Sequence, residues 1–350
     1  MKNKKVLIFL LFGLVIMAVM LYFIGIDEVI EALKLSNLWL VLLAIVIQIF
    51  TYFLYTWRWN IINKTANMDL GIKKSLPMVL VSLAVNNITP SGRGGGEPVR
   101  AYILAKEHGY ELKNTFATVV ADRMLDTFPF IVLAIITIIS MILYFDIAQW
   151  LVVVLVLSVI VISAILLILI YMCINLNFGR RVEGWIVGVV RRFSKKDSSD
   201  LENKVHENIF GFQKTMKLLI SDKNVLYTSI PLSFLIWIME IMRVYVVFLA
   251  FGATLNVIVI GEVFILASLV GMIPLLPGGL GAVDGLMIGF YSKAGVAYSL
   301  AAPVTLIERA ISFWLATIIG LIILPYYGSS VLDKLSLGKA SEDLKNSEEK

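Results

Sequence analysis

The chain has 350 residues, is 59% hydrophobic, and has a mean hydropathy of +0.89 and a formal net charge of +5. Such a composition is too apolar for a soluble domain, and the length allows several membrane crossings. The positive balance does not indicate a nucleic-acid partner, because the basic residues cluster in loops between apolar segments, the pattern of cytoplasmic loops in a membrane protein.

In chain order, residues 6–24 form an uncharged run preceded by Lys2, Lys4 and Lys5. A retained membrane helix is favoured over a cleaved signal peptide. The run is long for a signal core and lacks a clear small-x-small cleavage site. The lysines place the N-terminus in the cytoplasm. Residues 27–37 read as a short interfacial helix on the outer side. Residues 38–57 make the second span, ending in Trp57, Arg58 and Trp59, an aromatic and cationic anchor at the inner interface.

The next apolar run, 75–85, leads into NNITPSGRGGGEPVR at 86–100. Proline removes a helical hydrogen bond and glycine is a poor helix former, so no continuous helix spans this stretch. Broken backbone at membrane depth is tolerated only where it is buried in protein or lines a wet cavity. Basic residues flank the excursion on both sides. The expectation is therefore a re-entrant pair opening to the cytoplasm, with 99–104 climbing out.

Residues 115–145 form the third span and carry Asp122, Arg123 and Asp126. Residues 147–174 form the fourth. The hydrophilic insertion 176–224 holds an apolar periodicity between Val182 and Phe193, flanked by arginine pairs. It reads either as a helix on the anionic inner leaflet or as one packed under the bundle. Residues 225–250 are the fifth full span, with Glu240 and Arg243 inside. Residues 257–273 dip in, break at 274–285 and return at 286–291. Residues 303–326 are the last span, with Glu308 and Arg309. A charged tail, 331–350, is expected to be disordered. The prediction is an all-α, multi-pass cell-membrane protein: one integral membrane domain, 1–330, with six full spans, two re-entrant pairs and both termini cytoplasmic.

The chain echoes itself. PSGRGGGE at 90–97 matches PGGLGAVD at 277–284 with an offset of 187, Asp122-Arg123 matches Glu308-Arg309 at 186, and Arg58 matches Arg243 at 185. The ordered series of arginine, broken loop, acid–arginine pair and long span implies two repeats, about 38–145 and 225–327. The first loop opens inwards and the second outwards, so the repeats are inverted. Inverted repeats with paired broken helices are the architecture of many secondary transporters, with the substrate between the halves.

The candidate substrate-binding residues are Arg93, Glu97, Arg100, Asp122, Arg123, Glu240, Arg243, Asp284, Glu308 and Arg309. Charges in a bilayer are costly and must find partners. Glu240 and Arg243, at i and i+3, can pair on one helix face. Asp122-Arg123 and Glu308-Arg309 are adjacent and need partners elsewhere, including across the two halves. One reading is a buried polar network that fixes the bundle. The other is that Arg123 and Arg309 meet a lipid phosphate while the acids balance charge in the empty site. The loop glycines Gly92, Gly94, Gly95, Gly96, Gly278, Gly279 and Gly281 let backbone N–H groups converge on an anion, or else allow tight helix packing. Leu280 stands where the first loop has Arg93, so the second loop is electrostatically weaker.

GGGEPVRA at 94–101, ADR at 121–123, PLLPGGLGAVDG at 274–285 and the late ER at 308–309 resemble the transmembrane region of lysylphosphatidylglycerol synthases, the flippase-like domain family. The resemblance covers nearly the whole chain. It implies a membrane region that moves aminoacylated phospholipid to the outer leaflet. In two-domain relatives a separate soluble domain makes that lipid. The chain ends soon after its last span, so lysyl transfer is not expected, and a separate lipid-modifying enzyme is the partner this implies.

The expected function is binding and translocation of an anionic lipid, without enzymatic chemistry. The alternative is an integral-membrane enzyme acting on a polyprenyl phosphate or lipid headgroup, for which Asp122 and Asp126 are the best candidates. No cofactor or metal is expected: no Gly-Lys-Ser/Thr follows either loop, and His108 and His206 lie far apart. The single cysteine, Cys173, excludes an intrachain disulfide.

Overall fold

The computed structural model describes residues 26–89, 94–144, 149–175, 178, 180–181, 184–185, 187–188, 198–272 and 279–327. Among these the chain is all-helical. A short amphipathic α1 (Ile26–Leu35) precedes α2 (Leu38–Thr65), whose N-terminus is capped by Asn37 accepting from the Trp39 amide. Then come α3 (Ile72–Ile88), α4 (Gly96–His108), α5 (Leu112–Tyr144) and α6 (Gln149–Ile174). α7 (Ser198–Ser221) lies in the hydrophilic insertion. α8 (Lys223–Ala250), α9 (Val257–Gly271), α10 (Ala282–Lys293) and α11 (Tyr298–Tyr327) complete the fold. α11 contains one π-helical turn, Ala310–Trp314.

Five of these helices, α2, α5, α6, α8 and α11, are long and apolar enough to cross a bilayer. They match five of the six expected spans. The expected first span, 6–24, lies outside the described residues, as do most of the 182–193 periodicity and the 331–350 tail. α2 is longer than expected, continuing past Trp57 to Thr65. Trp59 is fully buried rather than interfacial, and Arg58 is only 1% exposed.

The helix starts repeat. Leu38 and Lys223 are 185 positions apart, Ile72 and Val257 185, Gly96 and Ala282 186, and Leu112 and Tyr298 186. α2–α5 thus recur as α8–α11, with α6 and α7 between the two sets. α2 and α8 pack along one another, and their contacts run in opposite directions: Gln48 meets Arg243 and Arg58 meets Ser233. Ten residues are about 15 Å of helix, so side-chain reach cannot reverse this register. α2 and α8 are therefore antiparallel neighbours.

Glycine sets the close approaches. A Cβ on Gly96 would lie 1.9 Å from the Ser82 carbonyl oxygen, so only glycine lets α4 start this close to α3. A Cβ on Gly320 would lie 2.3 Å from the Leu80 carbonyl oxygen, so α11 crosses α3 equally tightly. α7 is held beneath α5 and α6 by Met216 and Leu219, by Gln213 donating to the Met172 carbonyl, and by Thr215 donating to Asn114. This segment lies C-terminal to the 182–193 periodicity, whose two readings fall mostly outside the described residues.

Candidate functional site

A cavity of about 290 Å³ lies between the two sets of helices. α2, α3, α4, α5, α8, α9, α10 and α11 all contribute to its wall. Its charged lining consists of Arg58, Arg100, Arg123, Arg243 and Arg309 with Asp122, Asp126, Glu240 and Glu308. Aromatic rings from Tyr52, Tyr55, Phe130, Trp237, Phe264 and Phe313 complete the wall.

In the first set, Arg58 Nε donates to Asp122 at 2.7 Å, and its Nη1 donates to Asp126 at 2.8 Å. Arg100 donates to the other Asp122 oxygen at 2.9 Å, and its guanidinium stacks over Trp59 with 4.6 Å to the ring centroid. Asp122 is thus clamped between two arginines. Arg123, the next residue, takes other partners. It pairs with Glu97 at the start of α4, and more loosely with Asp126 at 3.6 Å. With its side chain 36% exposed, it is far more open than Arg58, Arg100, Arg243 or Arg309.

In the second set, Arg243 pairs with Glu240 on its own helix and with Glu308 on α11 at 2.6 Å. Arg309 pairs with Asp284 at the start of α10 at 2.8 Å, and its guanidinium lies 4.6 Å from the Phe313 centroid. The two networks correspond pair by pair. Arg58–Asp122 matches Arg243–Glu308, and Arg123–Glu97 matches Arg309–Asp284. The adjacent acid–arginine pairs therefore find their ionic partners within their own set, rather than across the two. Hydrogen bonds do cross: Arg58 donates to Ser233 at 2.9 Å, Arg243 donates to Gln48, and Asn87 donates to the Phe313 carbonyl and the Thr317 hydroxyl.

The match is not complete. Glu240 has Tyr55 as its counterpart, Asp126 has Ser312, and the positions matching Arg100 hold Gly285, Leu286 and Met287. The first set thus brings three arginines and the second two, against three carboxylates in each.

The glycine loops differ from an open cradle of amides. The Gly96 N–H already donates to the Asn86 side chain at 2.7 Å, and Asn86 also donates to Glu97 at 3.1 Å. The Gly281 N–H donates to Asp284 at 2.8 Å. Gly279 and Gly281 adopt positive φ, +68° and +78°, which an L side chain resists. Gly94 and Gly95 lead into α4. Gly92, Arg93 and Gly278 lie outside the described residues.

Sequence reasoning left Arg58 as an interfacial anchor and did not single out Gln48, Ser233, Asn86 or Asn87. A signal existed for two of them. Gln48 and Ser233 are themselves 185 positions apart, so extending the offset beyond the charged residues finds them.

The family description "Lysylphosphatidylglycerol synthase TM region" matches residues 6–320. A UPF0104 membrane protein of Methanothermobacter thermautotrophicus is 49% identical over 335 residues, covering 96% of this chain and 99% of the relative. One from Methanocaldococcus jannaschii is 32% identical, covering 91% and 94%, and one from Pyrococcus horikoshii is 28% identical, covering 91% and 95%.

Proposed function

The chain belongs to the lysylphosphatidylglycerol synthase TM region family, and on that premise we propose that it binds the headgroup of an anionic lipid in this cavity and passes it between leaflets. The observation that carries the proposal is the polar cavity itself, bounded by two matching sets of helices. Its lining has five arginines and four carboxylates, and Arg123 and Arg309 are paired with two further carboxylates, Glu97 and Asp284. A phosphodiester is an anion that can take the place of those two acids. Arginine suits that ligand because its planar guanidinium can meet two phosphate oxygens at once.

Arg123 and Arg309 are the phosphate contacts in this reading. Each is held by the acid that opens a short helix, Glu97 or Asp284. A phosphate competes with that acid for the guanidinium, so arrival of the headgroup loosens the short helices. The acyl tails stay in the lipid.

We read the two sets as inverted repeats. The support is that α2 and α8, which hold equivalent places, lie side by side and antiparallel. A two-fold relation between antiparallel neighbours has its axis perpendicular to them, which for membrane helices lies in the membrane plane. α3–α4 and α9–α10, short helices joined through Gly/Pro segments, fit re-entrant pairs. Basic loops favour a cell-membrane protein with both termini in the cytoplasm.

The test is reconstitution into vesicles containing a labelled anionic phospholipid. Wild-type protein moves the label between leaflets without altering it chemically. Arg123→Ala and Arg309→Ala remain folded and lose that movement. Normal movement by both variants overturns the phosphate assignment. A chemically changed lipid points instead to an enzyme.

A further inference from the structure

The α2–α8 seam holds two hydrogen bonds that are counterparts of one another. Arg58 on α2 donates to Ser233 on α8, and Arg243 on α8 donates to Gln48 on α2. Arg58 and Arg243 are equivalent at an offset of 185, and Gln48 and Ser233 are equivalent at the same offset. Each bond therefore joins the arginine of one set to a neutral polar side chain of the other. All four residues are nearly or fully buried: Gln48 is 2% exposed, Arg58 1%, Ser233 0% and Arg243 0%. The two bonds lie about 15 Å apart along the helices. The midpoint falls at residues 53 and 238, which are also equivalent.

Resting on the proposed passage of a headgroup through the cavity between the two sets, we propose that the sets rock against each other and that Gln48 and Ser233 are paired latches, each closing one end of the seam. The geometry assigns the roles. Relative rotation of α2 and α8 about the midpoint separates one end and compresses the other. Opening at the Leu38 end breaks Gln48–Arg243 and spares Arg58–Ser233. Opening at the Thr65 end does the reverse. The ionic partners of both arginines belong to their own sets, so each arginine keeps its acid when its latch opens. Asp122 and Asp126 continue to hold Arg58, and Glu240 and Glu308 continue to hold Arg243. Each latch therefore breaks without stranding a buried charge. Only a neutral group loses its partner, which keeps the cost of opening small compared with breaking an ion pair.

The latches are unequal. Gln48 accepts from Arg243 and also donates to Glu240 at 3.5 Å. Ser233 accepts from Arg58 and donates to the Ser229 carbonyl of its own helix. Only the glutamine makes two bonds across the seam, so the Thr65 end opens more readily. Gln48 and Ser233 are positioning residues here, acting through the arginines.

The experiment reads opening directly, without lipid. In a Cys173→Ser background, Ala44→Cys and Ile62→Cys report the two ends; both native side chains are fully buried, one turn beyond Gln48 and Arg58 respectively. The purified protein is labelled with a soluble maleimide. Gln48→Ala raises labelling at position 44 several-fold and leaves position 62 unchanged or lower. Ser233→Ala does the opposite, and Ser233→Thr, which keeps the hydroxyl, restores the wild-type pattern. Equal increases at both ends, or no change at either, overturn the latch proposal. If the opposed pattern appears in a protein that moves no lipid, the latches stand and the lipid reading falls.

Discussion

Arg58 and Arg243 perform the same task in two places. Each is almost wholly buried on the first long helix of its set, each pairs with the acid that opens an Asp-Arg or Glu-Arg dipeptide on the last, and each reaches across to the opposite set for a neutral acceptor. A charge placed so deeply is tolerated only because its partners are fixed. The bundle is therefore organised around the two pairs, and their individual removal has calculable consequences.

Asp122→Asn leaves Arg58 and Arg100 short of a shared anion at a position only 3% exposed. A loss of about 3–5 kcal/mol is the expected scale for breaking a buried pair. Asp284→Asn costs less, because the Asp284 side chain is 30% exposed. Thermal unfolding in detergent should show a much larger drop in Tm for Asp122→Asn.

Gly96→Ala forces a methyl group against the Ser82 backbone and must push α3 and α4 apart. Gly285→Ala, on α10, meets nothing within 4 Å. The first variant should lose stability by about 1–3 kcal/mol, the range for overpacking, and the second should be neutral or slightly stabilised. Chemical denaturation of the two variants side by side checks this.

Asn87→Ala removes both side-chain bonds that tie the end of α3 to α11, one to Phe313 in the π-helical turn at 3.0 Å and one to Thr317 just beyond it at 2.8 Å. The Phe313 carbonyl and the Thr317 hydroxyl keep the bond between them, so the cost is that of the lost bonds, about 0.5–1.5 kcal/mol each. Hydrogen exchange should rise across residues 310–317 and stay unchanged in α6.

Much of this was legible in the chain because Pro and Gly cannot hide within a long helix. The stretch 86–100 announced a break, and the break falls between α3 and α4. The offset of 185–187 was legible because charged residues are rare in apolar segments. What stayed hidden depended on distance in the fold. The aromatic residues beside Arg58 suggested an interface, and only the packing of α5 against α2 shows Asp122 and Asp126 waiting for it. Gly96 read as an amide donor for a ligand, whereas Asn86, ten residues earlier, already takes that N–H. α7 was obscured by its polar composition. Its apolar face is narrow, and Gly211 admits the aliphatic stem of Lys113.

Native mass spectrometry of protein released gently from membranes tests the central claim, that the cavity between the two sets takes a phosphate-bearing lipid. Wild-type protein should retain one anionic phospholipid, and Arg123→Ala should lose it while remaining folded. A lipid-free wild type, or equal retention by both proteins, would contradict the account.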